Sequence, residues 1–143
     1  MSNGLTFGAV PPEHVGLVWP EAEPMLIPAI ATAKGKFNSE DIAEELKAGV
    51  LLLWIVADDM VPIAAITTRI VRYPQCNALA MDWLGGSRMR EWLPQANETL
   101  LRYAKQNDCT HLECYGRKAW GRWLRRFGWR PDYIAYRMDI DHG

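Results

Sequence analysis

Two apolar segments joined by a short acidic turn do most to restrict how this chain folds. The run VLLLWIVA occupies residues 50–57, and VPIAAITTRIV occupies residues 61–71. Both segments have the length of a strand, and Asp58-Asp59 between them turns the chain, so they predict an antiparallel hairpin. A hairpin this apolar has to lie inside a sheet, which favours a layered domain with helices covering a central sheet.

Four shorter segments add to the predicted sheet. They occupy residues 5–10, 76–84, 110–115 and 133–140. Alternation along 76–84 sends its side chains to two faces, one of which carries Asn77, Leu79, Met81 and Trp83. Gly85-Gly86 ends that strand. In the last segment, one face carries Ile134, Tyr136, Met138 and Ile140.

Helical patterns fall between these strands. From Glu13 to Ala33 the composition suits a helix, but prolines recur at positions 20, 24 and 28, and each removes a backbone donor. We therefore expect short or kinked helical pieces there. Asn38, followed by acidic residues, predicts a capped helix start, and Gly49 predicts the end of that helix.

Two further helices follow the fourth and fifth strands. Apolar residues at helix spacing continue to about Asn107, with Pro94 inside the pattern, so this helix either starts near Leu93 or is kinked in its first turns. Arg117 to Phe127 is a basic amphipathic helix, and Gly128 supplies a left-handed cap. The order strand, helices, three strands, helix, strand, helix, strand predicts a mixed α/β or α+β domain.

Composition indicates one domain without covalent cross-links. The 143 residues, 49% of them hydrophobic, suffice for one core, and we assign a single domain over residues 1–143. Cys76, Cys109 and Cys114 are an odd number without CxxC spacing, so we interpret them as reduced packing residues. We expect neither a secretory signal nor a membrane span, which predicts a cytoplasmic protein. The histidines show no ligand spacing, so we expect no metal site.

A net charge of −1 conceals a gradient along the chain. Up to Met60 there are three basic and nine acidic residues, and after Met60 there are thirteen and eight. The most basic part is residues 117–130, whose aromatic side chains we interpret as a buried stripe, namely Trp120, Trp123 and Phe127. The opposite basic face meets either water or an anion, such as the phosphates of a CoA-like cofactor or a nucleic acid. Nucleic-acid binding is the least expected of these.

The order of elements, the glycine turn after the fourth strand and the late helix ending in Gly128-Trp129 resemble the GNAT family of N-acyltransferases. The resemblance covers nearly the whole chain and is strongest from about Leu51 to Ile140. It implies a mostly antiparallel central sheet with helices on both faces. Segments similar to GGSRMREW and YGRKAWGRWLRRFGW also occur in small GNAT-like proteins of tailed phages and prophages, which implies a location in the host cytoplasm or the virion.

In this family, acetyl-CoA enters the gap where the fourth strand splays from the fifth, and its pyrophosphate binds backbone amides at the start of the next helix. The resemblance therefore implies an acetyl-CoA or CoA site formed by Leu84, Gly85, Gly86, Ser87, Arg88 and Met89. Arg88 is an additional cation for phosphate. The sequence departs from the family's usual loop pattern here, and the alternative is a plain glycine turn with Ser87 as a helix cap.

The catalytic positions also depart from the family pattern. The family's proton-donating Tyr corresponds to Leu124, which cannot donate a proton, and Tyr115 and Tyr136 on neighbouring elements are the candidates to replace it. The amine nucleophile also needs a general base near the gap. Asp82 is the first candidate and Glu113 the second.

Structural roles are the alternative for both carboxylates. Asp82 would then pair with a basic side chain or bond to backbone, and Glu113 would meet Lys118 or Arg117. The second half of the chain is basic and rich in tryptophan. The choice between a catalytic and a structural role stays open, because tryptophans near the gap between the fourth and fifth strands can also fill this gap by packing.

Two functions therefore stay open. One is a GNAT-like acyltransferase that moves an acyl group from acyl-CoA to an amine of a small molecule or a protein. The other is a non-catalytic GNAT-fold protein with a phage structural, virion-associated or interaction role, whose partner is a phage or host protein. Either is compatible with a homo-oligomer, and neither involves a membrane.

Overall fold

The computed structural model describes residues 4–115 and 120–143. Its strands are β1 (Leu5–Val10), β2 (Leu52–Asp58), β3 (Val61–Arg72), β4 (Asn77–Gly86) and β5 (Cys109–Cys114). Its helices are α1 (Val15–Ala31), α2 (Ser39–Lys47), α3 (Met89–Gln106) and the single turn α4 (Gly121–Leu124). Short 3₁₀ turns precede α1 at Pro12–His14 and follow α4 at Arg125–Phe127.

The strands form one sheet in the order β1-β2-β3-β4-β5. Neighbours are antiparallel except for β4 and β5, which run parallel. β2 and β3 are the predicted hairpin, and Asp59 and Met60 form its turn with φ angles of 47° and 70°. Positive φ at two successive residues matches the twist of hairpin strands. The mostly antiparallel sheet expected from the sequence is confirmed.

Helices cover both faces of this sheet, as expected. α1 and α2 pack on one face, over a core that includes Leu26, Ile42 and Leu53. α3 packs on the other face, where Trp92 and Leu100 are buried. Because the central strands are buried on both sides, β2 and β3 are almost continuously apolar in sequence. None of the described helices is both long and apolar enough to cross a bilayer.

α1 is one continuous helix of 17 residues, not the short pieces expected from its prolines. Pro20, Pro24 and Pro28 are all exposed. Their spacing of four residues places them on one stripe of the helix, opposite the buried Ala22 and Leu26. The carbonyl groups that lose a backbone donor therefore lie on the solvent side, where water satisfies them.

The starts of α2 and α3 differ in how their free amides are satisfied. The Asp41 amide donates to the Asn38 side chain at 2.9 Å, and the Asn38 amide donates to the Asp41 carboxylate at 2.9 Å, a capping box that confirms the predicted start. α3 begins at Met89, well before Pro94, and no side chain caps it. Its N-cap residue is Arg88, in the left-handed conformation, rather than Ser87.

β4 contains a β-bulge that shifts the alternation of its side chains between the two faces of the sheet. Thr67 of β3 lies opposite Trp83, whereas the next residue, Thr68, lies opposite Met81, so Asp82 is the extra residue. Met81 consequently packs with the α3 core and Trp83 with the core under α1 and α2. The prediction that both share one face is wrong, because simple alternation does not reveal an inserted residue.

The predicted basic helix begins with residues 117–119, which lie outside the described residues. Within the described residues it consists of α4 and the 3₁₀ turn after it. Gly128 caps the turn in the left-handed conformation, as expected, with φ 88°. The aromatic stripe is half-buried rather than fully buried at Trp120, Trp123 and Phe127.

Residues 133–140 form no strand, so this prediction is wrong. The apolar side chains of its predicted inner face, from Ile134 to Ile140, are exposed instead. Alternation makes a segment able to pair, but a strand exists only where a neighbour takes up its backbone donors and acceptors.

Gly85 lies where α1 crosses β4. A Cβ atom at this position would overlap the backbone carbonyl oxygen of Met25 in α1. Gly86 has a φ of 123°, and a Cβ there would collide with the backbone of Ala64 in β3. The two glycines of the predicted cofactor turn are therefore required by the packing of the fold itself.

We expect Gly85→Ala to destabilise the protein by about 1–3 kcal/mol or more, because the helix has to move away from the strand. Chemical denaturation followed by circular dichroism measures the free energy of unfolding. Gly8→Ala in β1 is the matched control, because a Cβ there has no heavy atom within 4 Å. Equal stability of the two variants would contradict this account of Gly85.

Candidate functional site

β4 and β5 separate part-way along their length. Their pairing ends where Met81 lies opposite Cys114, but β4 continues to Gly86. Of the remaining β4 residues, 83–86 pair with β3, Asp82 is the bulge residue, and none has a partner on β5. Within the described residues, this part of β4 therefore has no strand beside it on the β5 side, and we call this place the gap. Asp82, Leu84 and both glycines of the predicted site lie along it.

The loop from β4 to α3 uses some of its polar groups for the fold. The Ser87 amide donates to the Ile63 carbonyl at 2.9 Å, and the buried Trp92 indole donates to the Ser87 carbonyl at 2.8 Å. Beyond this loop, the first turn of α3 carries amides that no side chain caps. Together with the positive end of the helix dipole, such amides attract an anion.

Arg88, the predicted additional cation, already has two acidic neighbours. Its guanidinium lies 2.6 Å from Asp58 and 2.8 Å from Glu91. The hydrogen bond with Glu91, followed by that with Asp58, raises the pKa of Arg88. The same bond lowers the pKa of Glu91. Arg88 thus ties the start of α3 to the end of β2, and an incoming phosphate has to compete with two carboxylates.

A cationic cleft of about 310 Å³ lies beside the start of α3, between this helix and α4, and is lined by Arg90, Leu93, Trp123, Arg126 and Phe127. The Arg90 guanidinium lies 4.0 Å from the centre of the Trp123 ring, and that of Arg126 lies 5.4 Å away. Among the described residues, no carboxylate forms an ion pair with either arginine. Two such cations next to an uncapped helix start form an anion-attracting surface.

The sequence indicates only part of this cleft. Arg126 belongs to the basic face predicted for the late helix. No motif or spacing connects it to Arg90, because the two residues meet only through the packing of α4 beside α3. The basic and aromatic stretch around Trp123 is the one signal that points to this surface.

Asp82, the first candidate base, pairs with Arg69 of β3. The Arg69 Nε and Asp82 Oδ2 atoms are 2.5 Å apart, and a second contact measures 3.4 Å. The hydrogen bond with Asp82 is the main reason that the pKa of Arg69 is raised. Only 15% of the Asp82 side chain is exposed. This pairing matches the structural alternative for Asp82, since its charge is already neutralised.

Glu113, the second candidate, has hydrogen-bond donors rather than an arginine. The Tyr73 hydroxyl lies 2.8 Å from each carboxylate oxygen and donates to them, and the His111 Nε2 lies 2.8 Å from Oε2. No arginine or lysine within the described ranges pairs with it. The expected alternative partners, Arg117 and Lys118, lie outside the described residues. The Glu113 carboxylate is therefore held by hydrogen bonds from neighbouring side chains.

Tyr115 directly follows β5 and is largely exposed. Its hydroxyl lies 2.9 Å from that of Tyr133. This hydrogen bond, with a contribution from burial, raises the pKa of Tyr115 to about 12. The phenol therefore stays protonated at neutral pH and can donate a hydrogen bond to negative charge. Tyr136, the other candidate donor, is 90% exposed.

The structure brings the three candidate catalytic residues to one face of the sheet. Glu113 and Tyr115 share a face because they are two residues apart on β5. Across the sheet, Glu113 lies opposite Ala80, and Ala80 lies opposite Arg69, the partner of Asp82. The negative charge of Glu113 also contributes to the raised pKa of Tyr115. Glu113 and Tyr115 thus lie on the face of the sheet opposite α3, whereas the cationic cleft lies beside α3.

Solved structures of acetyltransferases share the fold of this chain over nearly its full length. An aminoglycoside N-acetyltransferase in complex with CoA superposes with a TM-score of 0.68 at 16% identity, covering 98% of this chain and 98% of that chain. An acetyltransferase with acetyl-CoA from Clostridium acetobutylicum has a TM-score of 0.66 at 13% identity, with 97% and 99% covered. A GNAT family acetyltransferase from Staphylococcus aureus has a TM-score of 0.65 at 8% identity, with 96% and 99% covered.

The chain has the GNAT acetyltransferase fold. At such low identity the likeness shows the fold alone. The sequence matches no protein-family model and no curated protein.

We expect Tyr133→Phe to lower the pKa of Tyr115 from about 12 towards its ordinary value of 10, because it removes the hydrogen bond that raises it most. Ultraviolet titration of phenolate absorbance measures this change, with Tyr115→Phe used to assign the signal. In the wild type, the folded state keeps a proton that the unfolded chain loses above pH 10. The free energy of unfolding should therefore fall between pH 10 and about 12.

Tyr136→Phe is the matched control, because that side chain is almost fully exposed. Identical titration of Tyr115 in the Tyr133→Phe variant and in the control would contradict the assigned cause.

Proposed function

We propose that this protein is an acyl-CoA-dependent N-acyltransferase. The observation that carries the proposal is the end of β4–β5 pairing at Met81, with a cationic cleft beside α3 on one face of the sheet and Glu113 with Tyr115 on the other. A thioester donor and an amine acceptor have to meet from different directions, and this arrangement provides a separate approach for each.

The cofactor side fits an anionic nucleotide. The uncapped amides after Arg88 and the two arginines of the cleft, Arg90 and Arg126, would hold phosphate groups of acetyl-CoA or CoA. Leu84 and the glycine turn would border the rest of the cofactor. When bound, acetyl-CoA supplies an acyl group activated as a thioester.

On the acceptor side, we assign the base to Glu113 rather than Asp82. An amine reaches the gap as an ammonium ion and has to lose a proton before it becomes a nucleophile. Glu113 can accept that proton directly or through water, whereas Asp82 is neutralised by Arg69. Tyr115 holds its proton and stabilises negative charge that develops at the gap by donating a hydrogen bond.

The acceptor is proposed to be a primary amine, on a small molecule or a protein. One structural neighbour is an aminoglycoside N-acetyltransferase, so an aminoglycoside is the first probe. A phage or prophage origin, with a phage or host protein as partner, and a cytoplasmic or virion location stay predictions of the sequence resemblance.

A second candidate, a non-catalytic GNAT-fold interaction protein, is favoured by the ion pairs around the site. Arg88 and Asp82 are both occupied, and Leu124 stands at the family's Tyr position. Such a protein would keep the fold without binding CoA, so binding separates the two functions.

We expect CoA to raise the melting temperature in a thermal-shift assay. A ligand at 100 times its Kd stabilises by about 2.7 kcal/mol, which amounts to several degrees for a domain of this size. Arg90→Glu combined with Arg126→Glu should abolish the shift, because it reverses both charges in the cleft. Arg102→Glu combined with Lys105→Glu is the control, with the same charge change on an exposed part of α3. The absence of a shift at millimolar CoA would favour the non-catalytic protein.

We expect Glu113→Gln to lower the rate of acetyl transfer by about 10²–10⁴-fold, the usual contribution of a general base. Release of free CoA thiol from acetyl-CoA, with an aminoglycoside and other primary amines as acceptors, measures the rate. Glu98→Gln, on the exposed side of α3, should leave the rate unchanged. If Asp82→Asn reduces the rate and Glu113→Gln does not, the base assignment is reversed.

A further inference from the structure

A notch lies at the outer edge of β3, towards the end of the sheet that is away from the gap. β2 begins at Leu52, which pairs with Thr68, but β3 continues to Arg72. Within the described residues, the part of β3 after Thr68 pairs only with β4, so no strand lies beside its other edge. The chain that leads into β2, at Gly49 and Val50, borders the space that remains.

The notch has a volume of about 250 Å³ and an apolar floor. Leu52, Ile70 and Leu79 line it, and all three belong to the core that packs under α3. Leu79 is fully buried, whereas Leu52 and Ile70 are partly buried. The floor therefore includes apolar surface that water reaches, and covering it with an apolar group is favourable.

The notch is separate from the cationic cleft and from the gap. Tyr103 of α3 lines the notch, whereas Arg90 and Leu93 of the same helix line the cleft. Arg90 and Tyr103 are thirteen residues apart, which is about 20 Å along the helix. The gap lies beside residues 82–86 of β4, on the β5 side, whereas the notch lies on the β2 side of the sheet. A ligand in the notch therefore occupies none of the residues proposed for acyl transfer.

The side chains at the notch offer hydrogen-bond donors, and no carboxylate lines it. In the part of the chain that the structure describes, the Arg72 guanidinium forms no ion pair and the Tyr103 hydroxyl forms no hydrogen bond. Thr68 is 1% exposed, and its hydroxyl oxygen accepts the Trp54 indole proton at 2.9 Å, which leaves the Thr68 proton available to an acceptor. Arg69 also lines the notch, but its guanidinium already forms the ion pair described above.

This combination selects for a ligand with an apolar body and one carboxylate. The apolar body covers Ile70 and Leu79, and the carboxylate accepts charge-assisted hydrogen bonds from Arg72. A purely polar anion would leave the apolar floor exposed to water, and a neutral apolar molecule would leave Arg72 without an acceptor. Small-molecule sites in proteins are generally of this kind, mostly apolar with a few placed polar groups.

We propose that the notch binds a small amphipathic carboxylate, whose apolar part lies on Ile70 and Leu79 and whose carboxylate lies between Arg72 and the Tyr103 hydroxyl. The site does not depend on the proposed acyl transfer, so binding alone tests it.

Hexanoate is the probe, and hexan-1-ol and acetate are its matched controls. Hexan-1-ol keeps the apolar chain without the charge, and acetate keeps the charge without the chain. Titration of the ¹⁵N-labelled protein, followed by amide chemical shifts, measures both the affinity and the location of binding. We expect hexanoate to cause saturable shifts at Leu52, Ile70 and Tyr103. Its affinity should exceed that of hexan-1-ol about tenfold or more, the effect of one charge-assisted hydrogen bond, and acetate should cause no saturable shift there.

Arg72→Gln should reduce the affinity for hexanoate about tenfold or more and leave that for hexan-1-ol unchanged, because it removes the charge and keeps the apolar floor. Arg122→Gln, at an exposed arginine of α4, is the matched control and should change neither affinity. Tyr103→Phe keeps the ring beside Trp54 and should weaken the binding of hexanoate alone, by a smaller factor.

Equal affinities of the wild type for hexanoate and hexan-1-ol would overturn the proposal, as would the absence of saturable shifts with hexanoate. An unchanged affinity for hexanoate in the Arg72→Gln variant would overturn it as well. Shifts centred on Arg90 and Trp123, or displacement of hexanoate by CoA, would place the ligand in the cationic cleft instead of the notch.

Discussion

The close approach of α1 to β4 over Gly85 is the contact on which the core and the site both depend. The helix backbone lies so near the strand that no side chain fits between them. This contact fixes the end of β4, and Gly86 fixes the distance to β3 in the same way. Because β4 ends there, the chain turns at Ser87, whose amide donates to Ile63 of β3, and α3 starts two residues later at Met89. The glycine turn is thus a packing device first, and any role with a cofactor uses a geometry that the core already requires.

The gap itself follows from the hydrogen bonding of the sheet. β4 is longer than the stretch that β5 pairs with, so its last residues are held only by β3. A bulge at Asp82 adds a residue at the point where the strands part and brings this carboxylate to Arg69. Acids and cations that already form ion pairs with arginine or carboxylate groups are poor candidates for chemistry. The proposal therefore rests on Glu113, which no described arginine or lysine pairs with, and on Arg90 and Arg126, which no described carboxylate pairs with.

Local signals in the sequence predict most elements, because their causes are local. The capping box at Asn38 is complete within four residues, and the β2–β3 hairpin needs only two apolar segments and a turn. The failures have causes that lie elsewhere in the chain. α1 continues through three prolines because the side of the helix that carries them, including Pro20, faces water. Trp83 lies on the face opposite to the predicted one because the pairing of β4 with β3 includes one extra residue.

For the candidate site, too, the sequence determined one part and the tertiary structure determined the other. The sequence by itself determined which residue types are present near the glycine turn, and it named Asp82, Glu113 and Tyr115 together with the basic late helix. Only the tertiary structure decided which of these residues are already held in ion pairs. Arg69 neutralises Asp82, Asp58 pairs with Arg88, and Arg90 meets Arg126 around a tryptophan, all through contacts between different elements of the fold. The physical reason is that hydrogen-bond patterns and helix caps depend on neighbours along the chain, whereas the charge state and accessibility of a side chain depend on what the fold packs against it.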